Sequence, residues 1–385
     1  MENRIPLSPC SVKVTLSFPQ RGRVDLDRPT GVLVYPIQDP SLEEYVVPRF
    51  SVMLPQTNSV ASRDAILRIA ETAEELGFDA VTVHDHLVFN GFWIASGMQG
   101  AEGPGDNRDL YEAMETLTFV AARTERVRLV TSVIILPLRD PVLFAKQAAT
   151  LDVLSKGRFV LGVGVGPPLN PIGYETTKLG RHRDNAAREY DAVGVSGNRG
   201  VRTNEYLEAI FTIWENESAT FEGQFVSFND IEVFPKPVQK PRPTVMIGGR
   251  SDHALRRAAR YADGWNPSQV SAAQLASSLP TLRAYFEEEG QNDLTEIGIN
   301  IHSVIAESDE AAHEISDPSA MKMFPNLDEY RERTILGNPE TFTRRVQEYV
   351  AVGANYIELK PFYPDIDHLV SQMHLIHDEV MPAFT

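Results

Sequence analysis

Cysteine is nearly absent: Cys10 is the only one in 385 residues. No intrachain disulfide can form, and the count suits a reducing compartment. Long apolar runs are missing too. The longest candidate, residues 129–138 (LVTSVIILPL), falls well short of the roughly 20 residues that cross a bilayer. The opening stretch MENRIPLSPC has no apolar core of the kind a secretory signal needs. Together these point to a cytoplasmic chain with no membrane partner. Basic residues are scarce, 36 Lys and Arg against 53 Asp and Glu, a net charge of −17. That field disfavours nucleic-acid binding and repels anionic ligands at long range, so any phosphate-bearing ligand must rely on local donors. No internal repeat is visible. What remains, 42% hydrophobic and 23% charged residues, excludes a disordered tail, a collagen and a coiled coil and leaves a globular protein.

Residues 1–48 hold seven prolines and little periodicity, and read as an extension with short strands at Val12–Phe18 and Gly31–Tyr35. From 49 to 385 a regular alternation takes over. Apolar strands are predicted from residues 50, 79, 127, 158, 244, 264, 296 and 355, nearly all separated by helices. Arg63–Leu76 illustrates the helices: Ile66, Ile69, Ala70 and Ala73 share one face, Glu71, Glu74 and Glu75 the other, and Gly77 ends it. Residues 220–243 read as a surface hairpin and a proline-rich return, and 87–109, 164–203 and 306–338 as long connections. Continuous apolar strands suit a parallel sheet buried on both faces. Eight βα units predict an α/β protein of the closed (β/α)8 barrel type, with an N-terminal extension and long inserted loops. In such a barrel the chemistry sits at the C-terminal ends of the strands.

Several strand ends carry chemistry-bearing residues, each with a plain structural alternative. Alternation puts His84 and His86 on one face and Asp85 on the other. A histidine pair so spaced can bind metal, but only His302 is placed to join it, no acidic residue completes the set, and no metal is expected. The glycines of 162–166 would let another body approach the backbone, or close the barrel with a bulge. They do not form a dinucleotide fingerprint, because GxGxxG is not met and Pro167-Pro168 prevents an immediate helix. Gly248-Gly249 ends a strand and opens a helix near Ser251, an arrangement that offers an anion site reinforced by Arg250, or simply a capped helix start. Arg181 and Arg183 form a second basic cluster, either a solvated face or a clamp for an anionic tail.

In three ordered stretches, GFDAVTVHDH (77–86), residues 126–166, and 228–267 with IGGRSDHALRRAARYADGWNP, the sequence resembles the bacterial luciferase-like family of flavin- and deazaflavin-dependent oxidoreductases. The resemblance implies a (β/α)8 barrel holding FMN or coenzyme F420 across its C-terminal mouth. It implies a catalytic Asp85-His86 pair and a bulge with a non-prolyl cis peptide at Ser132-Val133 that presses on the back of the ring. It assigns Gly164, Gly166 and Asn170 to the cofactor site, and the Gly248-Gly249 turn with Arg250 to the cofactor phosphate. One departure stands out. Some deazaflavin enzymes place an acid directly after the strand-four glycines, where this chain has Pro167 and Pro168.

F420 is the expected cofactor, since its anionic tail suits Arg181, Arg183 and Arg250, with FMN the alternative. The expected activity is hydride transfer between F420 and a small organic substrate. His86 handles the accompanying proton, because imidazole titrates near neutrality. Asp85 orients the ring or the histidine, and Phe92 and Trp265 form apolar walls. The competing readings are a two-component monooxygenase supplied with reduced FMN by a partner reductase, a non-catalytic flavin-binding protein, and a metal hydrolase. A homodimer is a further expectation from the resemblance.

Overall fold

A computed structural model describes residues 47–88, 109–166, 189–291, 294–323 and 326–385. The extension, except its last two residues, and most of the 87–109 and 164–203 connections lie outside them. Within them, eight parallel strands close into a barrel in the order β1 (Arg49–Met53), β2 (Ala80–Val83), β3 (Arg128–Thr131), β5 (Phe159–Gly164), β8 (Thr244–Gly248), β9 (Gly264–Asn266), β10 (Glu296–Ile305) and β12 (Tyr356–Pro361), with β12 returning to β1. The two-residue β4 (Ile134–Ile135) continues the third stave after a break, and β6 (Ala219–Glu222) with β7 (Ser227–Ile231) form the expected antiparallel hairpin. The predicted α/β barrel is therefore the fold.

Helices cover the barrel because their apolar stripes meet the outward residues of the strands. Helix α1 (Arg63–Glu75) starts at Ser62, whose hydroxyl accepts from the Ala65 amide at 3.1 Å, and buries Ile66, Ile69, Ala70 and Ala73. Helix α2 (Ala113–Ala121) follows the Glu112 cap, and α3 (Pro141–Leu154) the Asp140 cap. The next helix, α4 (Arg199–Glu215), begins five residues before the Asn204 start that periodicity suggests, because the Asn198 side chain caps Gly200 and Val201. The region 306–338 departs most from expectation. It contains α7 (Asp309–Met323), α8 (Leu327–Glu332) and β11 (Thr334–Gly337), a further parallel strand alongside β10. Pro318 inside α7 and the brevity of β11 hide the pattern.

Strand alternation sorts the barrel interior into layers. At the N-terminal end, Glu296 accepts Arg49 at 3.0 Å and Arg128 at 2.8 Å, and both guanidinium groups lie over the Tyr356 ring. Above this ionic plug sits an apolar layer of Ala80, Val130, Val160, Met246 and Tyr356. Two residues further along the strands the interior turns polar, with Thr82, Ser132 and Glu358, and Ser51 and Asn300 pair in register with Glu358 from the strands on either side. The next inward positions open into a cavity. The sealed end makes a prediction about stability alone. Glu296→Ala removes the buried acceptor from Arg49, which is partly exposed, and from Arg128, which keeps Asp79, and lowers unfolding free energy by about 1–3 kcal/mol. Urea titration checks this, and ligand binding at the opposite end remains as in the parent.

Candidate active site

The cavity at the C-terminal end of the barrel has a volume of about 870 Å³, within the usual range for cofactor and substrate pockets. His84, His86, Ser132, Val133, Gly249 and Lys360 are among its lining residues. The third stave breaks here at a cis Ser132–Val133 peptide, as the resemblance implied. Val133 sits in a hollow made by glycines: a Cβ on Gly164 would lie 2.5 Å from Val133 Cγ2, and one on Gly248 3.0 Å from Cγ1. The room those glycines leave is thus taken by a protein side chain, which presents Val133 to the cavity. Ser132 Oγ donates to the buried Glu358 carboxylate at 2.7 Å and accepts from Asn300 Nδ2 at 2.9 Å. Asn266 Nδ2 also donates to Glu358, at 2.6 Å. The bulge is fixed from inside the barrel by three other strand-borne groups.

Asp85 also lines the cavity, but both its oxygens are engaged by the third stave and the segment after it. One oxygen accepts the Ile135 amide at 2.9 Å and the other pairs with Arg139, which in turn pairs with Glu112. Burial raises the Asp85 pKa, against the Arg139 charge and the Ile135 hydrogen bond. Asp85 therefore clamps the stretch just past the bulge. The carboxylate that holds His86 is a different one, Glu189, whose Oε2 lies 3.0 Å from His86 Nδ1. Its other oxygen accepts the amides of Leu87 and Val88. Burial works to raise the Glu189 pKa, but its hydrogen bonds to His86, Leu87 and Val88 and the His86 charge bring it below the ordinary value. Ionised, it can only accept, so His86 Nδ1 is the N–H donor. His84 is buried, and burial followed by the His86 and Lys360 charges pushes its pKa well down. Gln56 fixes its backbone by accepting the His84 amide and donating to the His84 carbonyl.

Across the mouth, Gly249 takes φ +100°, a left-handed conformation that favours glycine, just before Ser251 caps helix α5 (Asp252–Tyr261). Arg250 lines the same cavity and donates to the Gln269 carbonyl at 3.1 Å. Trp265 corrects an expectation. It does not line the cavity; it is buried in the core outside the barrel, and its indole N–H donates to the Gly249 carbonyl at 2.9 Å. Alternation gives the inward position to Asn266 instead. The role expected for Asp85 toward the histidine also falls to another residue, Glu189. Gly164 and Gly166 do line the cavity. Phe92, Asn170, Arg181 and Arg183 lie outside the described residues.

Three contributors escaped the reading of the sequence. Glu189 sits in a long connection with no periodicity to single it out. Glu358 did carry a signal, a charge inside the apolar strand YIELKP, as did Gln56 directly after a strand-end proline.

A family model described as luciferase-like monooxygenase matches residues 46–355. The chain belongs to this family. Luciferase-like proteins of this kind are oxidoreductases, and so is this one. An F420-dependent glucose-6-phosphate dehydrogenase from Microbacterium testaceum is 27% identical over 343 residues, 82% of this chain and 92% of that protein. Among solved structures, an F420-dependent secondary alcohol dehydrogenase in complex with an F420-acetone adduct superimposes with TM-score 0.70 at 18% identity, covering 88% of this chain and 99% of that one. A type II Baeyer–Villiger monooxygenase from Pseudomonas putida in complex with FMN gives TM-score 0.66 at 16% identity, over 88% and 98%. These two likenesses establish the luciferase-like barrel. No helix among the described residues is long and apolar enough to cross a membrane.

The Glu189 contacts give a pH prediction for this luciferase-like site. A lowered folded-state pKa means the contribution is complete above the ordinary value of 4.5 and is lost as pH falls through the folded value. The Leu87 and Val88 amides therefore exchange faster with solvent as pH drops through that window than the intrinsic pH dependence accounts for. Glu189→Ala shows the loosened state already at pH 7, at a cost of about 1–3 kcal/mol in local opening. Amide hydrogen exchange resolved to these residues checks both.

Proposed function

We propose that this protein transfers hydride between coenzyme F420 and a small organic substrate in the barrel mouth. The observation that carries the reading is the pairing, in one cavity, of the Ser132–Val133 bulge held from below by Glu358 with a His86 held by Glu189. The residues fit a phosphate-bearing tricyclic cofactor. Val133 offers an apolar surface raised on glycines, and the Gly248–Gly249 corner at the start of α5, with Arg250 beside it, offers donors to a phosphate. The 27%-identical relative named as F420-dependent supports F420 over FMN.

When bound, the deazaflavin supplies a carbon that exchanges hydride. The chain supplies the rest. His86 Nε2 takes the proton from a substrate hydroxyl as its carbon is oxidised, or returns it in the opposite direction, by microscopic reversibility. Glu189 fixes the tautomer and steadies the imidazolium, as a carboxylate does for a catalytic histidine. Asp85 and Arg139 hold the polypeptide past the bulge, so Val133 stays in place. The alternative occupant is reduced FMN delivered by a separate reductase, which would make the protein the oxygenating half of a two-component monooxygenase.

Titration of the purified protein with F420 and with FMN, each oxidised and reduced, tests the reading by ring fluorescence. Tight F420 binding with weak FMN binding supports it, the reverse selects the oxygenase, and binding of neither ends both. His86→Ala is expected to lower turnover by about 100-fold or more with cofactor affinity nearly unchanged; equal turnover would remove His86 from the chemistry. Gly249→Ala forces a side chain into a left-handed backbone 3.1 Å from Ala254 Cβ. It is expected to weaken F420 but not phosphate-free deazaflavin, as a calorimetric comparison would reveal.

A further inference from the structure

Strand β12 turns three residues toward the barrel interior, Tyr356, Glu358 and Lys360, and the first two have evident work. Tyr356 carries the ionic plug, and Glu358 holds the bulge. Lys360 has no structural task of that kind. It lines the cavity and is half-buried, and among the described residues its ammonium makes no hydrogen bond or ion pair. Its register partner on β10, His302, is buried and stacked on Phe362 with centroids 4.8 Å apart. The charged and titratable groups that act on Lys360 are Glu358 on its own strand, His302 on β10 and His84 past β2. Burial, then Lys360 itself, holds His302 down to about 3, and His84 is likewise pushed toward neutrality. Burial lowers the Lys360 pKa and the Glu358 charge opposes that, while Glu358 Oε2 is already committed to Ser132 and Asn266. A cation kept in such a place without a direct partner is costly unless something in the cavity answers it.

The Gly248–Gly249 corner lies on β8, three strand steps round the wall from β12. Gly248, Gly249, Val133 and Lys360 line one and the same cavity, so a ring anchored at the corner and resting on Val133 would share that cavity with the Lys360 ammonium. The oxidised and reduced rings differ by two electrons and one proton, the equivalent of one hydride drawn from a substrate carbon–hydrogen bond. The reduced ring therefore carries one negative charge more until a further proton joins it.

We propose that Lys360 is the counter-charge of the reduced cofactor: its ammonium stabilises the reduced ring over the oxidised one and so sets the potential of the site. This rests on the hydride-transfer reading above but holds for either ring. The test is anaerobic measurement of dissociation constants for oxidised and reduced F420, and for FMN if that ring is the one bound, in the parent protein, Lys360→Met, Lys360→Gln and Lys360→Arg. Thermal melting selects variants that fold. The neutral variants are expected to bind the reduced form at least tenfold more weakly while oxidised affinity changes less than twofold. By linkage, the midpoint potential of the bound cofactor falls by about 30 mV per tenfold. Lys360→Arg keeps most of the preference. Equal weakening of both forms, or no change in either, overturns the proposal and leaves the hydride-transfer reading standing. Failure of the parent protein to bind either ring overturns that reading, and this proposal with it.

Discussion

The hydrogen bond from Ser132 Oγ to the Glu358 carboxylate joins the barrel to its site. Glu358 is fully buried, and Asn266 and Asn300 reach the same pair from two other strands. A carboxylate at that depth needs such donors, since an unsatisfied one would cost several kcal/mol. The need runs both ways, because the polar layer specifies where the third stave bends. Val133 then lands on the glycines of β5 and β8, where a larger neighbour would collide.

The interior makes sense as a gradient along the barrel axis. An ionic plug of Arg49, Arg128 and Glu296 closes one end. An apolar layer isolates it from the polar layer, and the polar layer carries the cavity. Stability and chemistry are separated by one strand repeat after another, all on the same inward face. This is why Tyr356, Glu358 and Lys360, spaced by two, serve three different ends. Other strand-end residues have assignments of their own: Asp85 to Arg139, and Trp265 to the Gly249 carbonyl.

The two acidic residues near the histidines show how position sets role. Asp85 is adjacent to His86 in sequence, yet its oxygens are bonded to Ile135 and Arg139. Glu189 is 103 residues distant and holds its ring. The pairing gives His86 a defined tautomer, and the same carboxylate grips the two amides after it. A single side chain thereby fixes both the His86 ring and the start of the connection beyond it.

The sequence by itself determined the strands and helices whose periodicity is strong, their closure into a parallel barrel, the place of His84 and His86 at the end of the second strand, and the family. These are local or repeated properties: a period of two or 3.6 is written into neighbouring residues. Tertiary structure alone decided that Glu189, rather than Asp85, orients His86, that Trp265 belongs to the core, that 306–338 holds helices and a strand, and that Glu358 reaches Ser132 from 226 residues away. Such contacts depend on which strands become neighbours when the barrel closes and on how far the inward layers are staggered, and no stretch of chain records either.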